Sequence, residues 1–276
     1  MSKIDALDIW RKISMTEICK ETLGFYNQTQ LTPKGILKRG SADFDKKATS
    51  NSGEKAHYRA VYYMSTDGYM DMHIKQNLVS NNTYLSAVTK GNSDILFVDF
   101  GCGPMTAGLT AAESFSKHDH NYKERVFYAG IDISKNMRIL AEGINLKFKL
   151  FDGDRFCLSE NLAQLAGAID FEPNIIILSL SYVLSPNTLN TISATSLANE
   201  WHNLVENLST TKKVYVIYHN PHGNFHENWD TFKNHLKQLS LSGRLKYADG
   251  QIRDCNWGER RPSAMAMITG TKEAES

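Results

Sequence analysis

The chain of 276 residues is 41% hydrophobic and carries 31 basic and 30 acidic residues, for a net charge of +1. This balance excludes the strong overall field of a protein that coats nucleic acid or membrane surfaces, while local patches are still allowed. No run reaches the ~20 apolar residues of a membrane span, and the four cysteines are far apart and form no CxxC pair. We therefore predict a cytoplasmic protein with free thiols, no metal site and no membrane contact.

The first 90 residues are predicted to form an N-terminal helical extension (1–90) that precedes a core domain (91–272). Apolar residues within Ile4–Leu31 recur every three or four positions, which is typical of an amphipathic helix. The polar stretch Lys38–Lys55 is predicted to be a loop, and the aromatic-rich stretch Ala56–Val88 is predicted to be helical. Its tyrosines are interpreted as packing rings, with closure over a ligand as the alternative. A protein partner, if any, is expected to bind this extension.

The rest of the chain is organised around Ile95–Leu109, ILFVDFGCGPMTAGL. The apolar run that ends at Asp99 predicts a buried strand, Gly101-Cys102-Gly103-Pro104 predicts a tight turn, and Thr106–Phe115 predicts a helix. Glycine allows a sharp bend and close approach of a ligand to the backbone. The N–H groups at a helix start favour a negatively charged ligand group. This order of elements therefore predicts a nucleotide-binding site.

A second predicted strand, Phe127–Ile133, contains an acidic residue, Asp132, near its end. In nucleotide-binding α/β folds an acidic residue at this place accepts hydrogen bonds from ribose hydroxyls. The two strand ends are further apart than the roughly 20 residues of the dinucleotide fingerprint. Thr106 also stands where that fingerprint needs its third glycine, and no Gly-Lys-Ser/Thr run of a P-loop is present.

The segment from Asp99 to Met105, DFGCGPM, resembles the first motif of class I S-adenosylmethionine (SAM)-dependent methyltransferases. That motif has an acidic residue followed by glycines at alternate positions, and Met105 replaces the third of them. The resemblance implies an α/β fold: a doubly wound, seven-stranded, mostly parallel, Rossmann-like sheet that binds SAM as its cofactor. The cofactor-binding residues that it implies are Asp99, Gly101, Gly103, Asp132 and Ile133.

Two further aspartates follow a predicted third strand, Leu146–Phe151, which comes after a helix at Lys135–Ile144 capped by Ser134. The resemblance implies that Asp152 or Asp154 contacts the adenine amino group. An ordinary turn that uses Asp and Gly for their backbone preferences explains them equally well.

The most apolar run, Asn174–Leu180, predicts a central strand buried on both faces of a parallel sheet. Because ligands bind at the carboxyl ends of such strands, Ser181 is predicted to bind the cofactor and Tyr182 to lie beside the transferred methyl group as a catalytic residue. Leu180–Ser185, LSYVLS, is similar to the fourth motif of the methyltransferase-like subgroup of mitochondrial small-subunit ribosomal proteins. The cysteine cluster of that subgroup, associated with a metal site, is missing from this sequence.

A fifth strand is predicted at Lys213–Tyr218, and it is followed by two candidate general bases, His219 and His222. Histidine titrates near neutral pH, although a structural hydrogen bond is the alternative role. Helices are predicted on either side of this strand, at Thr195–Leu208 and Trp229–Leu241. Two final strands, Leu245–Arg253 and Ala264–Thr269, are expected to close the sheet, with the last one antiparallel.

The sequence therefore predicts a SAM-dependent methyltransferase that acts on an N, O or S atom. RNA is favoured over protein or a small molecule as substrate, from the subgroup resemblance alone. One alternative is a non-catalytic SAM-binding or cofactor-free scaffold module within a larger assembly. Another is a nucleotide-dependent oxidoreductase, against which Thr106 argues.

Overall fold

The structure is a computed structural model that describes residues 4–12, 69–88, 93–181, 183–184, 193–208, 211–221, 227–241, 244–248, 253–255 and 263–272. Predictions for residues 13–68, including the loop at Lys38–Lys55, lie outside this part of the chain. The same holds for the predicted catalytic residues Tyr182 and His222.

The helices and strands alternate along most of the described chain. The helices are α1 (Ala6–Lys12), α2 (Tyr69–Val88), α3 (Thr106–His118), α4 (Tyr122–Arg125), α5 (Lys135–Phe148), α6 (Leu162–Ala168), α7 (Ala194–Asn207) and α8 (Glu227–Leu239), with a 3-10 turn at Gly153–Arg155. The strands are β1 (Ile95–Phe100), β2 (Val126–Ile131), β3 (Phe156–Ser159), β4 (Ile175–Ser181), β5 (Lys213–Pro221), β6 (Leu245–Ala248), β7 (Arg253–Cys255) and β8 (Ser263–Lys272).

The strands form one sheet in the order β3-β2-β1-β4-β5-β8-β6, and the short β7 pairs with β8 beside β6. Strands β1 to β5 are mutually parallel, whereas β8 runs antiparallel to β5 and to β6. This is the sheet of the class I methyltransferase fold, so the predicted doubly wound, mostly parallel architecture is confirmed. The predicted closing pair of strands is split into three, because Leu245–Ala248 and Arg253–Cys255 pair separately with β8.

Helices cover both faces of the sheet, because each crossover between parallel strands lays a helix on one face. Phe97 and Tyr128 belong to the core under α2, α3 and α5. Leu96 and Val98 belong to the core under α6, α7 and α8. Strand β4 contributes Ile177 to the first core and its neighbours to the second, which confirms the doubly buried central strand predicted from its apolar run.

The predicted third strand at Leu146–Phe151 is wrong. Residues up to Phe148 complete α5, which ends at Lys149 in a left-handed conformation with φ 48°. Phe151 then pairs with a side chain instead of a strand: its N–H donates to Asn145 Oδ1 at 2.9 Å, and Asn145 Nδ2 donates to its carbonyl. A short apolar run is compatible with a helix end as well as with a strand, and in this structure it forms the end of α5. The third strand is Phe156–Ser159.

The described parts of the N-terminal region pack onto the core of the fold. The N–H of Ala6 at the start of α1 donates to Glu113 Oε2 of α3 at 2.7 Å, and Ser114 Oγ of α3 donates to Asn82 Oδ1 of α2 at 2.9 Å. Helix α2 also packs against β5 and β8. The division into an extension (1–90) and a core domain (91–272) is still a prediction.

Candidate cofactor site

The candidate site lies where the strand order reverses. From β1 the chain first builds outward to β2 and β3, and then returns to place β4 on the other side of β1. At such a point the helix that follows β1 and the helix that leads to β4 lie on opposite faces of the sheet, which opens a crevice at the carboxyl ends of the strands. The carboxyl ends of β1, β2 and β4 bring three groups to this edge: the glycine turn, Asp132 and Ser181.

The glycine turn depends on backbone conformations that favour glycine. Gly101 has φ 70° and Gly103 has φ 50°. The N–H groups of Gly101 and Cys102 both donate to the carbonyl of Ile131 at the end of β2, at 2.7 and 2.9 Å. A Cβ atom at Gly101 would lie 2.4 Å from Val183 Cγ2, whereas one at Gly103 would meet nothing within 4 Å. Gly101 is therefore required for space as well as for its φ angle.

Asp132 is joined directly to this turn. Its Oδ2 accepts a hydrogen bond from the Gly103 N–H at 2.9 Å, and its Oδ1 accepts one from the Ser134 N–H at 2.8 Å. Ser134 in turn caps α5 by accepting from the Met137 N–H, as predicted. The two halves of the predicted site are thus adjacent.

The N–H groups of the glycine turn are bonded within the protein. Those of Gly101, Cys102 and Gly103 are bonded to the end of β2, and that of Met105 is bonded to the Cys102 carbonyl. The start of α3 at Thr106 has no side-chain cap, so this helix end is the part of the motif that can face an anionic group.

Asp99 lies beneath the turn, not on its surface. It is 1% exposed, and its Oδ2 accepts hydrogen bonds from the Gly108 N–H at 3.1 Å and from the Tyr128 hydroxyl at 3.0 Å. The predicted contact of Asp99 with the cofactor is therefore corrected to a positioning role that ties β1 to α3 and β2. Burial raises the pKa of this carboxyl to about 7, against the lowering effect of its two hydrogen bonds.

This raised pKa predicts a stability that falls as the pH rises. Between the ordinary pKa of 3.8 and about 7, the folded state holds a proton on Asp99 that the unfolded chain has released. The contribution of Asp99 to the free energy of unfolding should thus decrease by about 4 kcal/mol across this window and level off above it. Urea unfolding of the wild type and of Asp99→Asn at pH 4.5 and 8 measures it. The free energy of unfolding of the variant, relative to that of the wild type, should be higher at pH 8 than at pH 4.5. The same pH dependence in both proteins would contradict a raised pKa at Asp99.

Met105 occupies the third glycine position of the motif and adopts a backbone conformation that favours glycine. It has φ 68°, a left-handed conformation that is unusual for a residue with a side chain, and it is fully buried. Its side chain lies against Gly108, where an added Cβ would be 2.8 Å from Met105 Cγ. A fully buried apolar side chain therefore stands where the motif has its third glycine.

The predicted adenine-contacting residues must be reassigned, because the third strand was misplaced. Asp152 and Asp154 precede β3 at its amino end, far from the carboxyl edge where the turn lies. Consistent with this, Tyr122, which precedes β2, has a pKa raised by burial and then by the Asp152 charge. The residues that do follow β3 are Glu160 and Asn161, which sequence reasoning missed because β3 is only four residues long. Ser159 at the end of β3 accepts the Asp132 N–H at 3.1 Å, which places this strand end beside the site.

Ile133, predicted to bind the cofactor, lies on the surface next to Asp132. It follows Asp132 directly and is 65% exposed, one of few large apolar side chains in the described chain that face solvent. A nucleoside has an apolar base next to a polar ribose, so an apolar side chain beside an acidic one could contact both parts of such a ligand.

The polar residues at the ends of β4 and β5 face the helix layer that contains α2. Ser181 Oγ donates to Asn77 Oδ1 of α2 at 2.8 Å. His219 pairs with Ser181 across the two strands and is buried. Burial lowers its pKa to about 3, which makes its imidazole a weak proton acceptor near pH 7, so its predicted role as general base is not supported.

The described residues contain no group of three or more His, Cys, Asp or Glu side chains arranged to hold a metal ion. None of the described helices combines the length and apolar character needed to cross a bilayer.

Comparison with known proteins gives likenesses of fold only. No known family profile matches the sequence, and no curated protein matches it. Among solved structures, an rRNA methylase from Streptococcus thermophilus is 9% identical with a TM-score of 0.44, over 73% of this chain and 97% of that one. SMU.1697c from Streptococcus mutans, solved in complex with SAH, is 12% identical with a TM-score of 0.46, over 70% and 97%. P. horikoshii TYW2 in complex with MeSAdo is 13% identical with a TM-score of 0.40, over 72% and 62%.

Proposed function

We propose that this protein is a SAM-dependent methyltransferase. The observation that carries the proposal is the junction of the glycine turn with Asp132, made by the hydrogen bond from the Gly103 N–H, at the reversal point of the sheet. Ligands of open α/β sheets bind in the crevice at this point.

The residues present at the site fit an adenosyl cofactor with an amino acid tail. Asp132 is half-buried and supplies carboxylate oxygens suited to a ribose diol, and Ile133 supplies an exposed apolar surface for the base. The uncapped start of α3 suits a carboxylate. When bound, SAM supplies a methyl group on a positively charged sulfonium. The contribution of the protein is then to hold and align the reactants and to exclude water.

The described residues provide no obvious base for this chemistry. The pKa of His219 is lowered so far by burial that its imidazole is a weak base, and Ser181 is engaged with Asn77. Methyl transfer needs a base only when the attacking atom carries a proton at that moment. An acceptor atom with a free lone pair therefore suits the site best.

Within this proposal, RNA is the favoured substrate class. Its support is the resemblance of Leu180–Ser185 to the motif of the mitochondrial ribosomal subgroup. The scaffold alternative is also supported by one observation, because the N–H groups of the turn are already bonded within the protein. It predicts no SAM binding, or binding without turnover.

Calorimetric titration with SAM, S-adenosylhomocysteine and NADH separates these functions. We expect the first two to bind and NADH not to bind. Incubation with methyl-labelled SAM and a fractionated cell extract then tests turnover, with label expected in the RNA fraction. Binding of NADH in preference to SAM would favour an oxidoreductase, and binding of SAM without transfer would favour the scaffold.

A further inference from the structure

Helix α2 buries a polar stripe where a packing helix would bury an apolar one. His73, Gln76, Asn77, Ser80 and Asn81 are all less than 9% exposed. Their positions follow the i, i+3, i+4, i+7, i+8 spacing of the core-facing side of an amphipathic helix. Apolar residues normally occupy these positions, so a polar set there needs a specific explanation.

Most of the stripe makes contacts within the protein. Asn77 Nδ2 donates to the His73 carbonyl one turn earlier in α2 at 3.1 Å, and His73 and Gln76 have interaction partners as well. Asn81 Nδ2 donates to Thr110 Oγ1 at 2.8 Å and to the Ala107 carbonyl at 3.3 Å, which fixes α2 to the first turns of α3. The hydroxyl of Ser80 is 1% exposed and has no hydrogen-bond partner among the described residues. An unsatisfied buried hydroxyl destabilises a fold by roughly 1–3 kcal/mol. A purely structural helix would gain stability from an alanine here.

The stripe lies beside the reacting end of the candidate site. Asn77 accepts from Ser181 at the carboxyl end of β4, and His219 pairs with Ser181 on β5. At its other end, Asn81 contacts the first turns of α3, directly after the glycine turn. The stripe therefore spans the space between the start of α3 and the ends of β4 and β5.

The chemistry of the stripe selects a class of ligand group. It consists of three side-chain amides, a hydroxyl and an imidazole, and it contains no Asp, Glu, Lys or Arg side chain. The neighbouring His219 is uncharged at neutral pH because burial lowers its pKa. A phosphate or carboxylate group needs a cation or several aligned N–H donors. A side-chain amide instead offers one donor beside one acceptor, the pattern that matches the edge of a nucleobase.

We propose that His73, Gln76 and Asn77 of α2, with Ser80, Ser181 and His219, form the acceptor subsite, and that this subsite takes an uncharged nucleobase as the methyl acceptor. The inference rests on the proposed methyltransferase function. It adds that methylation falls on the base of an RNA nucleotide and not on its ribose, its phosphate or a protein side chain.

The test uses the full chain, methyl-labelled SAM and hypomethylated total RNA from cells grown with a methylation inhibitor. Nuclease digestion of the product should release the label as base-methylated nucleosides. Label on ribose hydroxyls or in the protein fraction, or SAM binding with no label in RNA, overturns the proposal. Absence of SAM binding to the wild type would instead be a failure of the proposed function.

Two variants separate recognition of the acceptor from folding. Asn77→Asp keeps the shape of the side chain but replaces its N–H donors, one of which bonds the His73 carbonyl, with charge, and it should lower kcat/KM for RNA at least tenfold. Its Tm is measured as well, so that a loss of folded protein is distinguished from a loss of recognition. Ser80→Ala removes the hydroxyl that has no partner, and it should lower kcat/KM several-fold with an unchanged or higher Tm. Both should bind SAM within twofold of the wild type, as should the control Lys75→Gln, which alters an exposed residue of the same helix and should leave transfer unchanged. Unchanged transfer in both stripe variants would overturn the subsite.

Discussion

Gly101→Ala is expected to abolish measurable SAM binding and to lower the free energy of unfolding by about 3 kcal/mol. The new Cβ would lie 2.4 Å from Val183 Cγ2, and the residue would be held at φ 70°. A left-handed conformation costs an alanine roughly 1–2 kcal/mol, and overpacking of a core costs roughly 1–3 kcal/mol. Relief of the clash would move the turn away from Ile131, whose carbonyl accepts the Gly101 and Cys102 N–H groups.

Gly103→Ala is the matched comparison, because it shares the positive φ but has open space around the position of a Cβ. It should cost only the conformational term of about 1 kcal/mol. Gly153→Ala is the neutral control, since Gly153 has neither a positive φ nor close neighbours. Urea unfolding and calorimetric titration with SAM measure both properties. Equal losses for the Gly101 and Gly103 variants would show that the contact with Val183 does not matter.

The turn and its two flanking strands could be predicted from sequence because each signal was strong and local. The apolar run of β1, the paired glycines and the acidic end of β2 all led to the observed junction of Gly103 with Asp132. The same holds for the central strand β4, whose apolar run has no helical period. In these places local pattern and tertiary packing agree.

The errors have a common cause, which is that side-chain direction and pairing are decided by tertiary contacts. Leu146–Phe151 was predicted as a strand, but the amide of Asn145 binds the backbone of Phe151 and ends the segment as a turn. Asp99 was expected on the cofactor, yet its carboxyl points inward to Gly108 and Tyr128. Nothing in the sequence specifies that direction.

The polar face of α2 was missed for a different reason. The aromatic residues of this region indicate packing, but the spacing of the polar residues His73, Gln76, Asn77, Ser80 and Asn81 is also a signal in the sequence. These residues repeat at core-facing intervals, and polar residues in such a pattern indicate a buried polar site when the helix is known to pack. Only the contact with Ser181 showed which strand end they face.

Asp132→Asn is expected to weaken SAM binding by about 10- to 100-fold. Hydrogen bonds from ligand hydroxyls to a carboxylate contribute roughly 1.5–3 kcal/mol, and an amide can neither accept at both positions nor contribute charge. The free energy of unfolding should decrease by less, about 1 kcal/mol, because the remaining amide oxygen can still accept a hydrogen bond from either Gly103 or Ser134. Calorimetric titration with SAM, together with urea unfolding, measures the two effects separately.

The control for this variant is Asp152→Asn, a substitution of the same kind at an exposed aspartate. Asp152 lies at the amino end of β3, opposite the edge that carries Asp132, so its substitution should leave SAM affinity within twofold of the wild type. The two aspartates thus distinguish the placement of the cofactor site in the structure from the one predicted by sequence alone. If Asp152→Asn weakened SAM binding and Asp132→Asn did not, the cofactor would lie at the other end of the strands, and the proposed methyltransferase site would have to be abandoned.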